Sequence, residues 1–483
     1  MTQNAVTRHA ASIEARFDVP VVREVDVVVV GGGPAGVMTA VAAARRGAWV
    51  VLLERLAALG GNLTAGLVNP MLTFHAKSGR QVVKGLAQEL VDRLVRAGGS
   101  PGHVPDPVGF VKTVTPFDPD ILRTTLDSFV TEAGVEVFFH SQVIAVHKQA
   151  DRLTHVVAVA GKEGLLAFAA RVFVDASGDG DVAAFSGEEW TLGRKIDGHT
   201  QPMTLMFRMG GVDLRQVRDY VERHPEEFFE GGRALFEAGG YSGVSGFFRH
   251  VEEAVRRGEL PPYRDRVLFF GGVAPGEVIV NVTRVAKATV VSARSWTDAE
   301  IEGRRQVWQY ARFLQKRIPG FEKARVIHVG QQLGIRESRL IQGRYVLVPE
   351  DLVKGTAFAD RIAAGSYPVD IHSPSDESLV VQELEADYYF IPFRALLPRR
   401  TRNLLLAGRC ISATHEACAA IRVSPIAMAI GEAAGIAAAL ALQHDVDPCD
   451  VDPAEIQSQV DLPPAEWGRE AHGDGYRDRL LRA

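Results

Sequence analysis

The sequence predicts an α/β fold on three observations: a buried β-branched strand, a glycine turn behind it, and an acid closing the next strand. Within Val25 to Val30, the run Val27 to Val30 has no polar break, the pattern of a strand covered on both faces. Gly31, Gly33 and Gly36 follow with the G-x-G-x-x-G spacing. The first permits a tight turn, and the second lets backbone N–H groups approach a pyrophosphate. The third lets the next helix pack closely on the strand. That helix is expected over residues 35–46, its positive N-terminal end aimed at phosphate. Trp49 to Leu53 reads as the second strand, and Glu54 follows Gly33 by 21 residues. A carboxylate there accepts both ribose hydroxyls of an adenosine and repels a 2′-phosphate. Together these features predict a Rossmann-like unit for an adenosine-linked dinucleotide, FAD or NAD.

The chain has 483 residues, enough for two or three domains. Its 46% hydrophobic and 23% charged content are those of a soluble globular protein with a large core. A formal net charge of −5 gives no electrostatic reason to bind nucleic acid or an anionic membrane, so neither is an expected partner. Cys410, Cys418 and Cys449 form no C-x-x-C and no disulfide framework, which suits a cytoplasmic setting. Residues 1–24 are mixed and polar, with no apolar core for a signal peptide. Ile426 to Leu442 is apolar but carries Glu432, and reads as a buried helix rather than a membrane span. No His/Cys/Asp group shows ligand spacing, so no metal is expected.

Further along, Gly60 to Asn69 is a glycine-punctuated loop expected to lead into a short helix and to run along a diphosphate. Val82, Val83, Leu86, Leu90 and Leu94 recur at helical spacing and predict an amphipathic helix over 76–97. A second helix is expected over 118–133, with Asp118 as N-cap and Pro119 behind it. Strands are expected over 135–139 and 142–148, then a hairpin over 153–160 and 165–170. A separate buried strand from Arg171 ends in Asp175-Ala176-Ser177-Gly178-Asp179-Gly180. Such a polar strand end implies a second contact to the cofactor, with Asp179 a candidate ligand.

Beyond Trp190 the character changes. Met203, Leu205, Phe207 and Met209 alternate with Thr204, Met206 and Arg208, a strand pattern. Residues 211–265 are charged, helical and loop-rich. Strands return over 267–285 with Asn281 and Arg284, and a helix over 298–317 stops at Pro319-Gly320. A strand at 326–330 precedes the charged group Arg336, Glu337 and Arg339. Asn403 to Gly408 is again a buried strand ending in glycine. A polar loop over 411–422 leads to an Ala-rich helix over 425–442, and the tail 445–483 is expected to be surface-docked or partly disordered.

These motifs, in this order, resemble the FAD-dependent oxidoreductase family of glutathione-reductase-like flavoproteins over residues 25–442. The marks are Gly31 to Gly36 with Glu54, Gly60-Gly61, and Asp175 to Asp179. Then come Gly334-Ile-Arg-Glu-Ser-Arg339 with Gly343 and Tyr345, Asn403 to Arg409, and Arg422-Val-Ser-Pro425 before Gly431-Glu-Ala-Ala-Gly435. The resemblance implies non-covalent FAD across the ends of the first, Asp175 and Asn403 strands. It therefore implies a discontinuous FAD-binding domain over 22–190 and 386–444. A mixed α+β substrate domain is inserted at 191–385, and the tail follows. Cofactor contacts are expected from Gly31, Gly33, Pro34, Ala35, Gly36, Glu54 and Arg55 at the first turn. Gly61, Asn62, Gly66 and Val143 follow, then Ala176, Ser177, Gly178 and Asp179. Gly408, Arg409, Ser424, Pro425 and Ala427 complete the set. A third glycine-ended strand late in the chain decides for FAD over NAD. No second fingerprint lies between 190 and 400, which argues against a nicotinamide domain of the kind disulfide reductases carry. Electrons then pass to oxygen, a quinone, a protein or a second substrate.

Four residues are the catalytic candidates. His75 follows the glycine loop and could serve as acid or base; the alternative is a hydrogen-bonded loop histidine. His415, between the Gly408 strand end and the last helix, is read as a proton carrier or a partner of the flavin pyrimidine. Arg336 and Arg339 could clamp a substrate carboxylate or face the flavin C2 carbonyl, the alternative being an internal Arg–Glu pair. Arg422 is read likewise, as a substrate contact or a structural cap. The expected activity is hydride transfer between a small organic substrate and flavin N5, as a dehydrogenase or oxidase. Double-bond reduction and hydroxylation are the near alternatives. A flavoprotein of RNA modification or an electron-transfer subunit would be a different class. Self-association is left open.

Overall fold

The computed structural model describes residues 14–229, 241–262, 264–374 and 379–465. The first residues of the polar N-terminal segment, part of the 211–265 block and the end of the tail lie outside the described residues. Strand Val21–Val30 sits inside a seven-stranded sheet, parallel to Val50–Leu53 on one side and to Gly164–Asp175 on the other. Val27, Val28 and Val29 are fully buried, as an unbroken β-branched run requires. The sheet runs Glu136–Phe138, Val50–Leu53, Val21–Val30, Gly164–Asp175, Arg152–Ala160, Ser141–Gln149.

One expectation about this sheet is corrected. The anticipated hairpin arm and the separate strand from Arg171 are a single strand, Gly164–Asp175. An almost unbroken ladder from Val21↔Ala167 to Val30↔Asp175 holds it together. Along its other edge it changes partner. Its first half pairs antiparallel with Arg152–Ala160, and its last three residues pair parallel with Leu404–Leu406.

Helix Pro34–Ala44 follows the glycine turn and crosses the long helix Ser424–His444. Added Cβ atoms at Gly431 and Gly435 would stand 2.1 Å from Ala35 O and 2.3 Å from Thr39 O, so the crossing needs both glycines. Thr39 Oγ1 lies 2.9 Å from both Ala35 O and Gly431 O, tying the two backbones. The long helix is apolar enough to cross a membrane, yet 83% of its apolar window is buried in this packing.

Three further expectations change. The amphipathic helix begins at Gly85, not at 76. Lys84 offers no cap, and the Glu432 carboxylate of the long helix takes the Leu86 N–H at 3.0 Å instead. Gly60 to Asn69 forms successive turns and no helix, with Gly60 and Gly61 at positive φ. The polar loop 411–422 contains a helix, His415–Ile421, capped by Thr414 Oγ1 at 3.2 Å from Ala417 N. Asp118 caps Pro119–Glu132 as expected, accepting from Asp120 N and Ile121 N.

A second core gathers apolar residues from Met203 to Ile335. Its five-stranded sheet is wholly antiparallel: Gly243–Gly246, Val267–Gly271, Val278–Val280, Phe207–Gly210, Arg325–Val329. Helix Ala293–Arg317 covers it with Val307, Tyr310 and Leu314. The alternation read from the sequence sends Met203, Leu205, Phe207 and Met209 into this core. Met206 turns to the other face, against Leu67 and Ile279. Apolar residues from Ile341 to Val369 pack into the first core.

Candidate functional site

A cavity of about 870 Å³ opens where the strand ends of the first sheet face the second. At one end it meets the glycine turn. Gly31 has φ +101°, and a Cβ there would stand 2.5 Å from Ala176 O. A Cβ at Gly36 would stand 1.8 Å from Gly31 O, so Gly36 lies behind the wall and lets the helix close on the strand. Gly33 is different: a Cβ would meet no protein atom within 4 Å, because its position opens into the cavity. Gly33 is also the N-cap of Pro34–Ala44 and supplies no side-chain cap. Its helix therefore presents bare N–H groups to the cavity.

The long helix repeats this arrangement at its own start. Val423 caps it without a side-chain bond, and Val423, Ser424 and Ala427 line the cavity; Pro425 is buried behind them. Two uncapped helix starts thus converge on one space.

Glu54 lines the cavity, its Oε2 accepting from Gly32 N at 2.6 Å and its Oε1 from Leu56 N at 2.8 Å. Each oxygen keeps a lone pair for a further hydroxyl, while burial pushes the carboxyl above its ordinary range. Arg55, Gly61, Asn62, Val143, Ala176, Ser177, Gly178, Gly408 and Arg409 also line the space. Gly66 does not; it makes a tight turn over Asn62 O, which its Cβ would approach to 2.8 Å. Asp179 lines the wall in an ion pair with Arg409 at 2.7 Å and a bond from Ser338 Oγ at 2.7 Å. Burial alone would raise its carboxyl, but Arg409 and Arg55 hold it below the usual value. An open glycine, two bare helix starts and a carboxylate with free lone pairs fit an adenosine-linked dinucleotide with a diphosphate.

The four catalytic candidates separate. Arg336 lines the cavity, its Nη1 donating to Pro202 O at 2.6 Å and Thr204 Oγ1 at 2.7 Å. Arg339 does not: it donates to Asp179 O and pairs with Asp181 at 2.8 Å, pinning the turn after Asp175. His415 is buried outside the lining, its Nδ1 2.8 Å from Glu337 Oε2. Glu337 also receives Gln201 N at 2.9 Å, so the internal pair expected of it is made with a histidine. His75 also lies off the wall, with Nδ1 2.9 Å from Thr113 Oγ1.

The residues missed by sequence reasoning stand at the far end, where the second core and the Val369–His372 strand meet. Asp370 and His372 line the cavity with His372 Nε2 3.3 Å from Asp370 Oδ2, and Tyr367 donates to the same oxygen at 2.9 Å. Arg264 and Arg422 join Arg336 around them, and Arg422 Nη2 is 3.7 Å from Asp370 Oδ2. Burial and the Arg336 charge push His372 down to about 3, so its imidazole is neutral. Burial disfavours the Asp370 charge, yet His372 and Arg422 more than offset this and keep it ionised. Burial, Arg422 and Arg264 pull Arg336 well below its ordinary value, and burial and Arg284 bring Arg264 to about 10. Arg336, in its charged group, and Arg422, before the last helix, carried a sequence signal; Arg264, Tyr367, Asp370 and His372 are polar residues without a motif.

Although no metal motif is visible in the spacing, His224, Glu226 and Glu227 gather at one place and Asp447, Cys449 and Asp450 at another. Arginines already occupy both: Arg249 pairs with Glu226 and Glu227, and Arg152 and Arg402 pair with Asp447. Cys410 and Cys418 are buried free thiols.

A family model described as FAD dependent oxidoreductase matches residues 26–460. No curated protein matches the chain. Among solved structures, a geranylgeranyl bacteriochlorophyll reductase-like protein from Thermoplasma acidophilum is 14% identical with a TM-score of 0.43, covering 90% of this chain and 82% of that one. The myxobacterial chondrochloren halogenase CndH, a FAD-dependent halogenase, is 15% identical with a TM-score of 0.43, covering 90% and 78%. BexE is 15% identical with a TM-score of 0.45, covering 87% of this chain and 63% of that one.

Proposed function

The chain belongs to the FAD-dependent oxidoreductase family and uses FAD as its cofactor; from that premise we propose a dehydrogenase or oxidase acting on a small organic substrate. The observation that carries the oxidative direction is the His372–Asp370 pair on the cavity wall. Oxidising an alcohol or amine removes a hydride from carbon and a proton from the attached oxygen or nitrogen, and the proton needs a base. A neutral imidazole can take that proton; it has none ready to give to a substrate being reduced. Asp370 holds Nε2–H, which leaves Nδ1 as the acceptor, and it balances the imidazolium once formed.

In this reading Gly33 and the bare start of Pro34–Ala44 would hold the diphosphate, and Glu54 would hold the ribose. Arg55 and Arg409 flank the path, and the start of Ser424–His444 supports negative charge on the flavin ring. Bound FAD supplies the two-electron acceptor. The second core closes the substrate side with a sheet that is antiparallel throughout, not the parallel unit that holds a pyridine nucleotide.

The test is an absorbance spectrum of the purified protein, followed by anaerobic additions of candidate alcohols, amines and acids. Loss of the visible flavin band on adding a substrate alone, with colour released to the supernatant on acid precipitation, supports the reading. Bleaching by NADH or NADPH and by no substrate would turn the assignment to a reductase or hydroxylase. His372→Gln should lower turnover by about 10²-fold or more with flavin content unchanged.

A further inference from the structure

We propose that the substrate is an organic carboxylate, held by the guanidinium groups of Arg264, Arg336 and Arg422 at the end of the cavity beside His372. This rests on the reading above that the same cavity holds FAD and substrate.

The argument is one of charge and of unmet donors. The acids elsewhere on the cavity wall already have partners. Glu54 and Asp106 accept backbone N–H groups, Asp179 pairs with Arg409, and Asp181 with Arg339. Asp265 pairs with Arg266, and Glu383 with Lys77. Asp370 is the acid that faces the three arginines, and it stands 3.7 Å from one of them. Arg284 also lines the cavity and adds its charge to Arg264 and Arg336, so among the described residues the cations here outnumber the one anion.

Neutral groups hold Arg336 and Arg422 in place without cancelling their charge. Arg336 is held by a carbonyl and a hydroxyl; Arg422 reaches Gln201 Oε1 at 3.5 Å and Asp370 O at 3.4 Å. Arg264 has no hydrogen bond or ion pair among the described residues, and its Nε, like Arg422 Nε, is a buried donor without an acceptor. Uncompensated charge and unmet donors in a cavity wall are costly unless a ligand supplies the anion. A carboxylate matches the planar fork of a guanidinium with two parallel bonds. The diphosphate of FAD has its own cradle, the glycine turn with Gly33 open to the cavity and the bare start of Pro34–Ala44. Bringing a carboxylate here also cancels the repulsion that keeps His372 weakly basic, so the base gains strength when the substrate is in place.

The experiment uses FAD-loaded protein titrated with benzoate and with succinate, each against its neutral amide, benzamide and succinamide, and against inorganic phosphate. Readouts are the shift of the visible flavin spectrum and the melting temperature. The expected result is binding of at least one carboxylate at least about tenfold tighter than its amide and than phosphate. Arg264→Gln and Arg336→Gln should each weaken it about tenfold at unchanged flavin content, with Arg336→Lys intermediate. Acids and amides that act alike, phosphate that binds tighter than either acid, or Gln variants that bind as the parent does would each overturn the proposal. Benzoate and succinate carry no alcohol or amine to oxidise, so their binding without bleaching sustains the proposal. A 2-hydroxy or 2-amino acid that binds equally well and never bleaches the flavin anaerobically would remove the oxidative reading. Protein that takes up no flavin would remove that reading's cofactor premise, and the melting temperature would still report on the carboxylate.

Discussion

A Cβ at Gly36 would stand 1.8 Å from the Gly31 carbonyl oxygen, whereas one at Gly33 would meet no protein atom within 4 Å. The two glycines of one motif should therefore fail differently. Gly36→Ala must push helix from strand and should lower the melting temperature even without cofactor. Gly33→Ala should melt like the flavin-free parent, yet lose most of its FAD, because the methyl occupies cofactor space. Differential scanning calorimetry with a flavin count per chain checks both. His372 yields a pH prediction at the same scale. Burial and Arg336 place its titration at about 3 against an ordinary 6.5, and the protonated form cannot act as base. In the free enzyme the group is thus competent above about pH 4, and kcat/KM should hold level through pH 5–6, where an ordinary histidine would already cost activity. Arg336→Gln removes part of the repulsion and should move the acid limb upward. An acid limb centred near 6.5 in the parent would remove His372 from the base role.

Among the elements, those that announce themselves in sequence are those whose burial is complete and local. Val27 to Val30 is legible because both faces are covered, and Asp118 because a cap acts on its own first turn. Helix His415–Ile421 is not, since its few residues are nearly all buried and show no polar stripe to set a period. The start of the amphipathic helix is hidden for another reason: its cap, Glu432, arrives from 346 residues away. Small residues on the last helix do signal a close crossing, but nothing local says that Ala35 and Thr39 are the partners. The crossing has its own test. Gly435→Leu places a side chain 2.3 Å from Thr39 O, a backbone atom that cannot swing aside. Stability should fall by about 3 kcal/mol or more, measured as a shift of the denaturant midpoint, with Ala439→Gly on the same helix costing about 1 kcal/mol.

For the molecule as a whole, the half of the cavity built from motifs was readable and the half built from meeting surfaces was not. Gly33, Glu54 and Asp179 belong to strand ends with a local signature. Arg264 on one segment and the Asp370–His372 pair on the strand Val369–His372 carry no motif, and they converge only where the second sheet faces the strand ends of the first. The same geometry makes FAD a structural element as well as a reactant. A ligand in a cavity walled by both sheets binds the native arrangement and not the unfolded chain, so it must stabilise the protein by mass action. Free FAD at about 100 times its dissociation constant should add about 2.7 kcal/mol, and a further tenfold excess about 1.4 kcal/mol more. The melting temperature of flavin-stripped protein should therefore climb with added FAD and keep climbing after the site is full. AMP, which offers the ribose for Glu54 but neither diphosphate nor flavin, should give a smaller rise. A melting temperature indifferent to FAD over that range would mean the cofactor does not bind the cavity, and the site would have to be sought elsewhere.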